Sequence, residues 1–183
     1  MIVIGDTYYD VKPMCLTSLD LKMLYGFGMK KSKNIVKLIK VPMKRKPYKW
    51  LEMLGDDIND PRSWGFEADD YFCMLWHDIP FDYKNNCVRI RPHFGEIDNI
   101  CWVRETFHKC NDLIYYDLEY KAAVKFLNNC TRKSSTHMKL EYSRSLIKVC
   151  DIDVVNLSNI WFYKVKIKLF ATKVNGTWNL EGN

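Results

Sequence analysis

The chain has 183 residues and a formal net charge of +6, and it is 48% hydrophobic and 14% aromatic. That length suffices for one domain with its own core and an additional segment. No apolar run approaches the ~18 residues of a spanning helix, and the first residues lack the basic and long apolar parts of a secretory signal. We therefore expect a chain that is made in the cytosol and does not cross a bilayer.

The N-terminal region is dominated by positive charge. Residues 1–20 give an ambiguous pattern, in which Ile2, Val3 and Ile4 could begin a short strand. Residues 22–49 then hold ten of the 28 lysines and arginines and contain no Asp or Glu. Their weak periodicity, two glycines and two prolines predict a partly disordered or conditionally helical basic arm over residues 21–47, within an N-terminal segment, residues 1–47. A single domain is expected to follow, over residues 48–183.

A block of this charge indicates an anionic partner, either a nucleic-acid backbone or a lipid surface. The alternative is a solubilising leader, but the apolar residues between the lysines favour a segment that lies against a membrane or a partner. The residues predicted to bind are Lys30, Lys31, Lys33, Lys37, Lys40, Lys44, Arg45, Lys46 and Lys49.

The middle of the chain combines short strands with predicted helices. An acidic loop over residues 56–70 precedes apolar runs at 71–76 and 87–91 that predict strands. Residues 96–116 place apolar side chains at three- and four-residue steps, which predicts an amphipathic helix. A second helix is predicted over residues 118–129. The apolar positions of the first are Ile97, Ile100, Val103, Phe107, Cys110 and Ile114.

The C-terminal part predicts antiparallel strands. A strand region is expected at 138–149, and Ile160–Val174 alternates apolar and basic residues as a half-buried strand does. Asn175-Gly176 is a strong hairpin signal. The outward lysines of this strand, Lys164, Lys166 and Lys168, are a solvated face or a possible secondary basic face. The predicted class is therefore α+β, an antiparallel sheet with two mid-chain helices.

Residue patterns for catalysis or metal binding are weak. The seven cysteines are scattered and include no zinc spacing, so they are interpreted as small core hydrophobes. Asp112, Glu119 and Lys121 loosely match a metal-dependent nuclease, but a helix would point the last two apart. No enzyme activity, metal or cofactor is predicted.

The order of elements from residue 87 onward resembles the matrix proteins of rhabdoviruses, nearest in length to the short form of plant cytorhabdoviruses. The resemblance is carried by Cys87-Val-Arg-Ile-Arg91, the two predicted helices, Leu140-Glu-Tyr-Ser143 and the strand ending before Trp178. The basic Lys30-Lys-Ser-Lys33 also lies where that family has a lysine-rich segment. The PPxY budding motif of the animal-virus members is absent, which leaves recruitment of host budding machinery in doubt.

The resemblance implies a structural protein of the virion, peripheral to the envelope and present in the host cytoplasm. It would condense the viral ribonucleoprotein nucleocapsid, self-associate, and link the nucleocapsid to the inner membrane leaflet and the glycoprotein cytoplasmic tail. The basic residues named above would then bind membrane and ribonucleoprotein. The alternative is a viral RNA-binding accessory protein, such as a silencing suppressor, which would use the arm and the secondary basic face.

Overall fold

A computed structural model describes residues 1–41, 64–66, 72–74, 89–90, 92–111, 113–117, 129–158 and 160–181. Most of these residues lie in strands, with one α-helix among them, α1 (Ser18–Tyr25). The strands are β1 (Ile2–Ile4), β2 (Thr7–Tyr9), β3 (Val11–Cys15), β4 (Ile35–Lys40), β5 (Trp64–Phe66), β6 (Phe72–Met74), β7 (Arg89–Ile90), β8 (Ile100–Arg104), β9 (Phe107–Cys110), β10 (Leu113–Tyr116), β11 (Cys130–Lys133), β12 (Ser145–Leu157), β13 (Ile160–Val174) and β14 (Thr177–Leu180).

The main sheet has six strands. Its order is β14-β13-β12-β8-β3, and β4 also pairs with β13. The β3–β8 pairing is parallel, whereas the others are antiparallel. Because β12 occupies one edge of β13, β4 and β14 both lie along the other edge, one after the other. The remaining described strands form small sheets: β1-β2, β10-β9-β11 and β5-β6-β7.

The long C-terminal strand was predicted correctly. β13 has the bounds that its alternation indicated, with Tyr163, Val165 and Ile167 fully buried on the inner face. Asn175 and Gly176 both have positive φ, 51° and 84°, as the hairpin to β14 requires. The strand expected at 138–149 starts later, since two short 3-10 turns precede β12.

The predicted α+β class with two mid-chain helices is wrong, because the described chain is mostly β. Within residues 96–116 the described chain forms β8, β9 and β10, with a break in the strands at 105–106 and a turn residue at Asn111. Strands buried on both faces need no polar alternation, so their apolar residues fell at helical steps by coincidence. Four of the five residues of β8 are buried. Of the second predicted helix, residues 118–129, all but Asn129 lie outside the described residues, and Asn129 is not helical.

The partly disordered arm is also wrong for residues 21–41, which contain most of α1 and all of β4. Thr17 and Asp20 form a capping box that starts α1, and Gly26, at φ 77°, ends it. β4 then pairs with β13 over six residue pairs, from Ile35↔Ile167 to Lys40↔Phe162. The alternation of apolar and basic residues in Ile35–Lys40 indicates a strand, but the lysine content of the segment favoured the interpretation as an arm.

The core lies between α1 and the inner face of the main sheet. Leu21 and Leu24 of α1 pack in one buried cluster with Ile35 of β4, Val103 of β8 and Tyr163 of β13. The main sheet thus joins strands from both sides of the boundary predicted at residue 47. A second cluster lies around Trp102, Phe107 and Leu146.

Two of the cysteines contradict their interpretation as core hydrophobes. Cys110 of β9 and Cys130 of β11 lie directly opposite in the antiparallel register and form a disulfide, with Cα atoms 4.3 Å apart. Cys101 is a free, fully buried thiol, as predicted. Cys15 is free but exposed.

Candidate anion-binding surface

The connection between α1 and β4, residues 26–34, is an exposed loop of apolar and basic residues, which we call the basic loop. Phe27 is 54% and Met29 40% exposed, and Lys30, Lys31 and Lys33 are exposed beside them. Exposed apolar side chains among cations are typical of segments that enter the headgroup region of a membrane.

The basic loop is anchored at both ends, so its exposed residues project from a fixed base. The Gly26 N–H donates to the Lys22 carbonyl at 2.9 Å, and the Ser32 N–H donates to the Met23 carbonyl at 2.8 Å. The second bond returns the chain to α1 just before β4 begins. A preorganised loop loses less conformational entropy on binding than a disordered arm would.

The apolar and basic character continues along the outer face of β4. Val36 and Leu38 are about half exposed, at 56% and 46%, and Lys40 is exposed beyond them. In the register with β13, Val36 lies opposite Lys166 and Leu38 opposite Lys164. This face therefore extends the amphipathic surface of the loop over part of the sheet.

The structure divides the predicted basic residues into three groups. Lys37 Nζ lies 2.7 Å from Asp20 Oδ2, and Lys31 Nζ lies 3.1 Å from Glu181 Oε2, so both are paired. The exposed residues Lys30, Lys33 and Lys40 form no ion pair with another described residue. The rest of the set, Lys44, Arg45, Lys46 and Lys49, lies outside the described residues.

The secondary basic face is partly neutralised by β12. Lys164 Nζ lies 4.0 Å from Asp153 Oδ2, and Lys166 stands opposite Asp151 in the cross-strand register. Lys168 differs, because the residue opposite it is Lys148. Lys148 was missed as a candidate, since only the register of the long hairpin places it beside Lys168.

A groove of about 640 Å³ brings the two predicted basic sets together. It lies along β13 in the gap between β4 and β14. Lys31 and Lys33 of the basic loop meet Lys148 and Lys168 of the sheet there. The other lining residues are Tyr9, Ser32, Leu169, Phe170, Leu180 and Glu181.

One lysine of the groove has a carboxylate that favours its charged form. Lys148 Nζ lies 2.6 Å from Asp98 Oδ1, and that hydrogen bond raises the pKa of Lys148 above its usual value. Among the described residues, Glu181 is the one carboxylate that lines the groove, and Thr172 Oγ1 is within 3.5 Å of it. With Lys31 paired to Glu181 and Lys148 paired to Asp98, the excess positive charge of the groove comes from Lys33 and Lys168.

Other predicted features give no site in the described chain. Asp112, Glu119 and Lys121 all fall outside it. Within the described ranges, no group of three or more His, Cys, Asp or Glu side chains is placed to hold a metal ion. No helix of that part of the chain has the length and apolar character to cross a membrane.

No protein-family model, curated protein or solved structure matches the chain. The resemblance to rhabdovirus matrix proteins therefore stays a prediction. The surface itself offers cations and apolar side chains, which suit an anionic lipid or a nucleic-acid backbone.

Proposed function

We propose that this is a viral matrix protein, a structural assembly protein that binds the inner face of the envelope membrane and condenses the ribonucleoprotein nucleocapsid. The observation that carries the membrane part is the basic loop, where exposed Phe27 and Met29 stand beside Lys30, Lys31 and Lys33. It corresponds in position to the lysine-rich segment of the resembled family.

The expected binding free energy of the basic loop is sufficient for reversible membrane binding. Each lysine near an anionic leaflet contributes about 1 kcal/mol, and full burial of a Phe or Met side chain contributes about 1.5–3 kcal/mol. Lys30 and Lys33 with Phe27 and Met29 thus support peripheral attachment without a lipid anchor. Because the lysine contribution is screened by salt and the apolar one is not, binding should weaken only partly as ionic strength rises.

The nucleocapsid, glycoprotein-tail and self-association roles rest on the resemblance and on the remaining surface. The cations outside the loop are available to a second anionic partner while the loop is engaged. The outer edge of β4 pairs with no other described strand. An edge with a free row of backbone donors and acceptors is a candidate contact between copies of the chain.

Vesicle sedimentation tests the membrane part. We expect the full chain to pellet with phosphatidylserine vesicles, and the Phe27→Ser/Met29→Ser variant to bind at least about tenfold more weakly, because it loses the inserting side chains. The matched control is Leu113→Ser/Val174→Ser, which removes two exposed apolar residues elsewhere (60% and 54% exposed) and should pellet normally. Equal pelleting of both variants would rule out the loop as the anchor.

The second candidate is a viral RNA-binding accessory protein, favoured by the aromatic rings of Tyr9 and Phe170 beside the groove lysines. Aromatic rings and cations together are how single-stranded RNA is held. Tight binding to naked RNA with no vesicle binding and no self-assembly would favour this function over the matrix role.

A further inference from the structure

The groove occupies a discontinuity in the main sheet. β4 covers one edge of β13 as far as Ile167, and β14 covers the same edge from Ala171. In the described chain no strand covers that edge at residues 168–170. The gap is bridged at the surface by the Lys31–Glu181 ion pair, whose Nζ and Oε2 atoms are 3.1 Å apart.

The row of the long hairpin that lines the gap differs in charge from its neighbours. Lys148 and Lys168 lie directly opposite each other on β12 and β13, a position in which like charges are destabilising when no acid compensates them. Here Asp98 compensates Lys148 from outside the two strands, since its Oδ1 lies 2.6 Å from Lys148 Nζ. The next two rows along the same strands oppose Lys166 to Asp151 and Lys164 to Asp153. The row at the groove has no acid on either strand, and with Asp98 on Lys148 it leaves Lys168 without an ion pair to another described residue. A local departure of this kind from the pairing of the neighbouring rows is expected at binding sites.

We propose that this groove binds a small ligand that carries two or more phosphomonoester groups, with Lys33, Lys148 and Lys168 as its cationic contacts. Several amines converging from two strands and a loop match several phosphates on one body better than a single phosphate. The volume of about 640 Å³ admits a phosphorylated polyol ring and exceeds what one phosphate needs.

Such a ligand has two sources, a phosphorylated lipid headgroup or a soluble polyol phosphate. The headgroup source rests on the proposed membrane function, because Lys31, Ser32 and Lys33 line the groove and belong to the loop that carries Phe27 and Met29. A headgroup in the groove would therefore be held next to the inserting residues. The soluble source requires only the groove.

Glu181 sets the strength of this site. Its carboxylate pairs with Lys31 and would repel a phosphate that enters beside it. Neutralising Glu181 should therefore tighten binding, whereas removing groove lysines should weaken it. An adventitious surface cluster would respond in the same direction but equally to lysines outside the groove, so a lysine variant outside the groove is the control that separates the two.

The test is titration calorimetry of the full chain with inositol hexakisphosphate as the soluble probe. We expect Lys33→Ala/Lys168→Ala to weaken binding about thirtyfold and Glu181→Gln to tighten it several-fold. Lys164→Ala removes a lysine of the same strand outside the groove and should leave the affinity within about twofold of the original. Unchanged affinity in the double lysine variant would overturn the proposal.

A vesicle arm separates the two sources. If the ligand is a lipid headgroup, the protein should pellet more strongly with vesicles that contain phosphatidylinositol bisphosphate than with phosphatidylserine vesicles of equal charge. The Lys33→Ala/Lys168→Ala variant should lose this difference. Lysine-dependent binding of the soluble probe alone identifies a soluble ligand, and this result stands even if the loop fails as a membrane anchor. A short single-stranded RNA that displaces the probe and binds more tightly would overturn the small-ligand proposal.

Discussion

Lys37 and Asp20 join β4 to the first turn of α1 through an ion pair of 2.7 Å between Nζ and Oδ2, and both side chains are more than four-fifths buried. Asp20 also accepts from the Thr17 N–H at 2.7 Å, so one carboxylate caps the helix and fixes the strand. This pair acts together with the pairing of β4 and β13 to hold part of the lysine-rich segment in the domain, while the loop between α1 and β4 is exposed.

Removal of the Asp20 charge should destabilise the fold. Asp20→Asn keeps a side-chain oxygen for the helix cap but leaves Lys37 without its anion, and we expect a loss of about 1–2 kcal/mol in the free energy of unfolding at neutral pH. Denaturant unfolding measures it. The Asp20→Asn/Lys37→Met double variant should recover part of the loss, and a double variant no better than the single one would show that the pair is not coupled.

The same carboxylate predicts an acid dependence. Burial is the largest influence on Asp20 and opposes ionisation, but hydrogen bonds from Lys37 and Thr17 together outweigh it, so its pKa is lowered below the usual 3.8. Because the folded pKa is lower than the unfolded one, the stabilisation is present above pH 3.8 and is lost as pH falls through the folded value. The stability difference between the original chain and Asp20→Asn should therefore shrink below pH 4. A stability difference between the two proteins that grows as the pH falls would contradict the lowered pKa of Asp20.

A second ion pair is more deeply buried, and breaking it should lower the free energy of unfolding by more. Arg144 donates from Nε and Nη2 to the two carboxylate oxygens of Glu105, both at 2.9 Å, and its guanidinium lies 4.1 Å from the centre of the Tyr116 ring. Glu105 is only 1% exposed. Glu105→Ala should cost about 3–5 kcal/mol in thermal or denaturant unfolding, since it leaves a buried cation without its anion.

The matched control for that measurement is the exposed pair of Lys139 and Glu141, in which Nζ and Oε1 are 3.6 Å apart. Glu141→Ala should cost less than about 1 kcal/mol, because exposed ion pairs contribute little. If both alanine variants lost similar amounts of unfolding free energy, burial would not explain the contribution of the Arg144–Glu105 pair to stability.

The cysteines should differ in reactivity. Burial raises the pKa of Cys101 to about 12, so an alkylating reagent should leave it unmodified in the native protein. Cys15 is exposed and should react first. Cys110 and Cys130 should react only after reduction, and reduction should lower stability by about 3 kcal/mol for a loop of 20 residues. Mass spectrometry locates the label, and a Cys110→Ala/Cys130→Ala variant should be insensitive to the reductant.

Local patterns predicted part of this fold. The alternation along Ile160–Val174 and the Asn175-Gly176 turn depend on neighbouring residues alone, and both were predicted correctly. α1 was missed although Thr17-Ser-Leu-Asp20 is a capping signature and Gly26 a helix stop. These helix signals were present in the sequence, but the high charge of the surrounding segment favoured the interpretation as an arm.

Other features depend on pairing between distant residues, and no local pattern contains them. The parallel contact of β3 with β8 and the opposition of Cys110 and Cys130 follow from register. The groove likewise exists only because β4 and β14 share one edge of β13. The lysines that line it could be named from the sequence in part, but their convergence could not.

Hydrogen exchange of the full chain on vesicles tests the central claim most directly, because it needs no substitution. If the basic loop enters an anionic membrane surface, amides of residues 26–34 should gain protection with phosphatidylserine vesicles and not with neutral phosphatidylcholine vesicles. The hairpin end at Asn175-Gly176 serves as the internal reference and should be unchanged. Unchanged exchange at 26–34 while the protein is fully vesicle-bound would contradict the account.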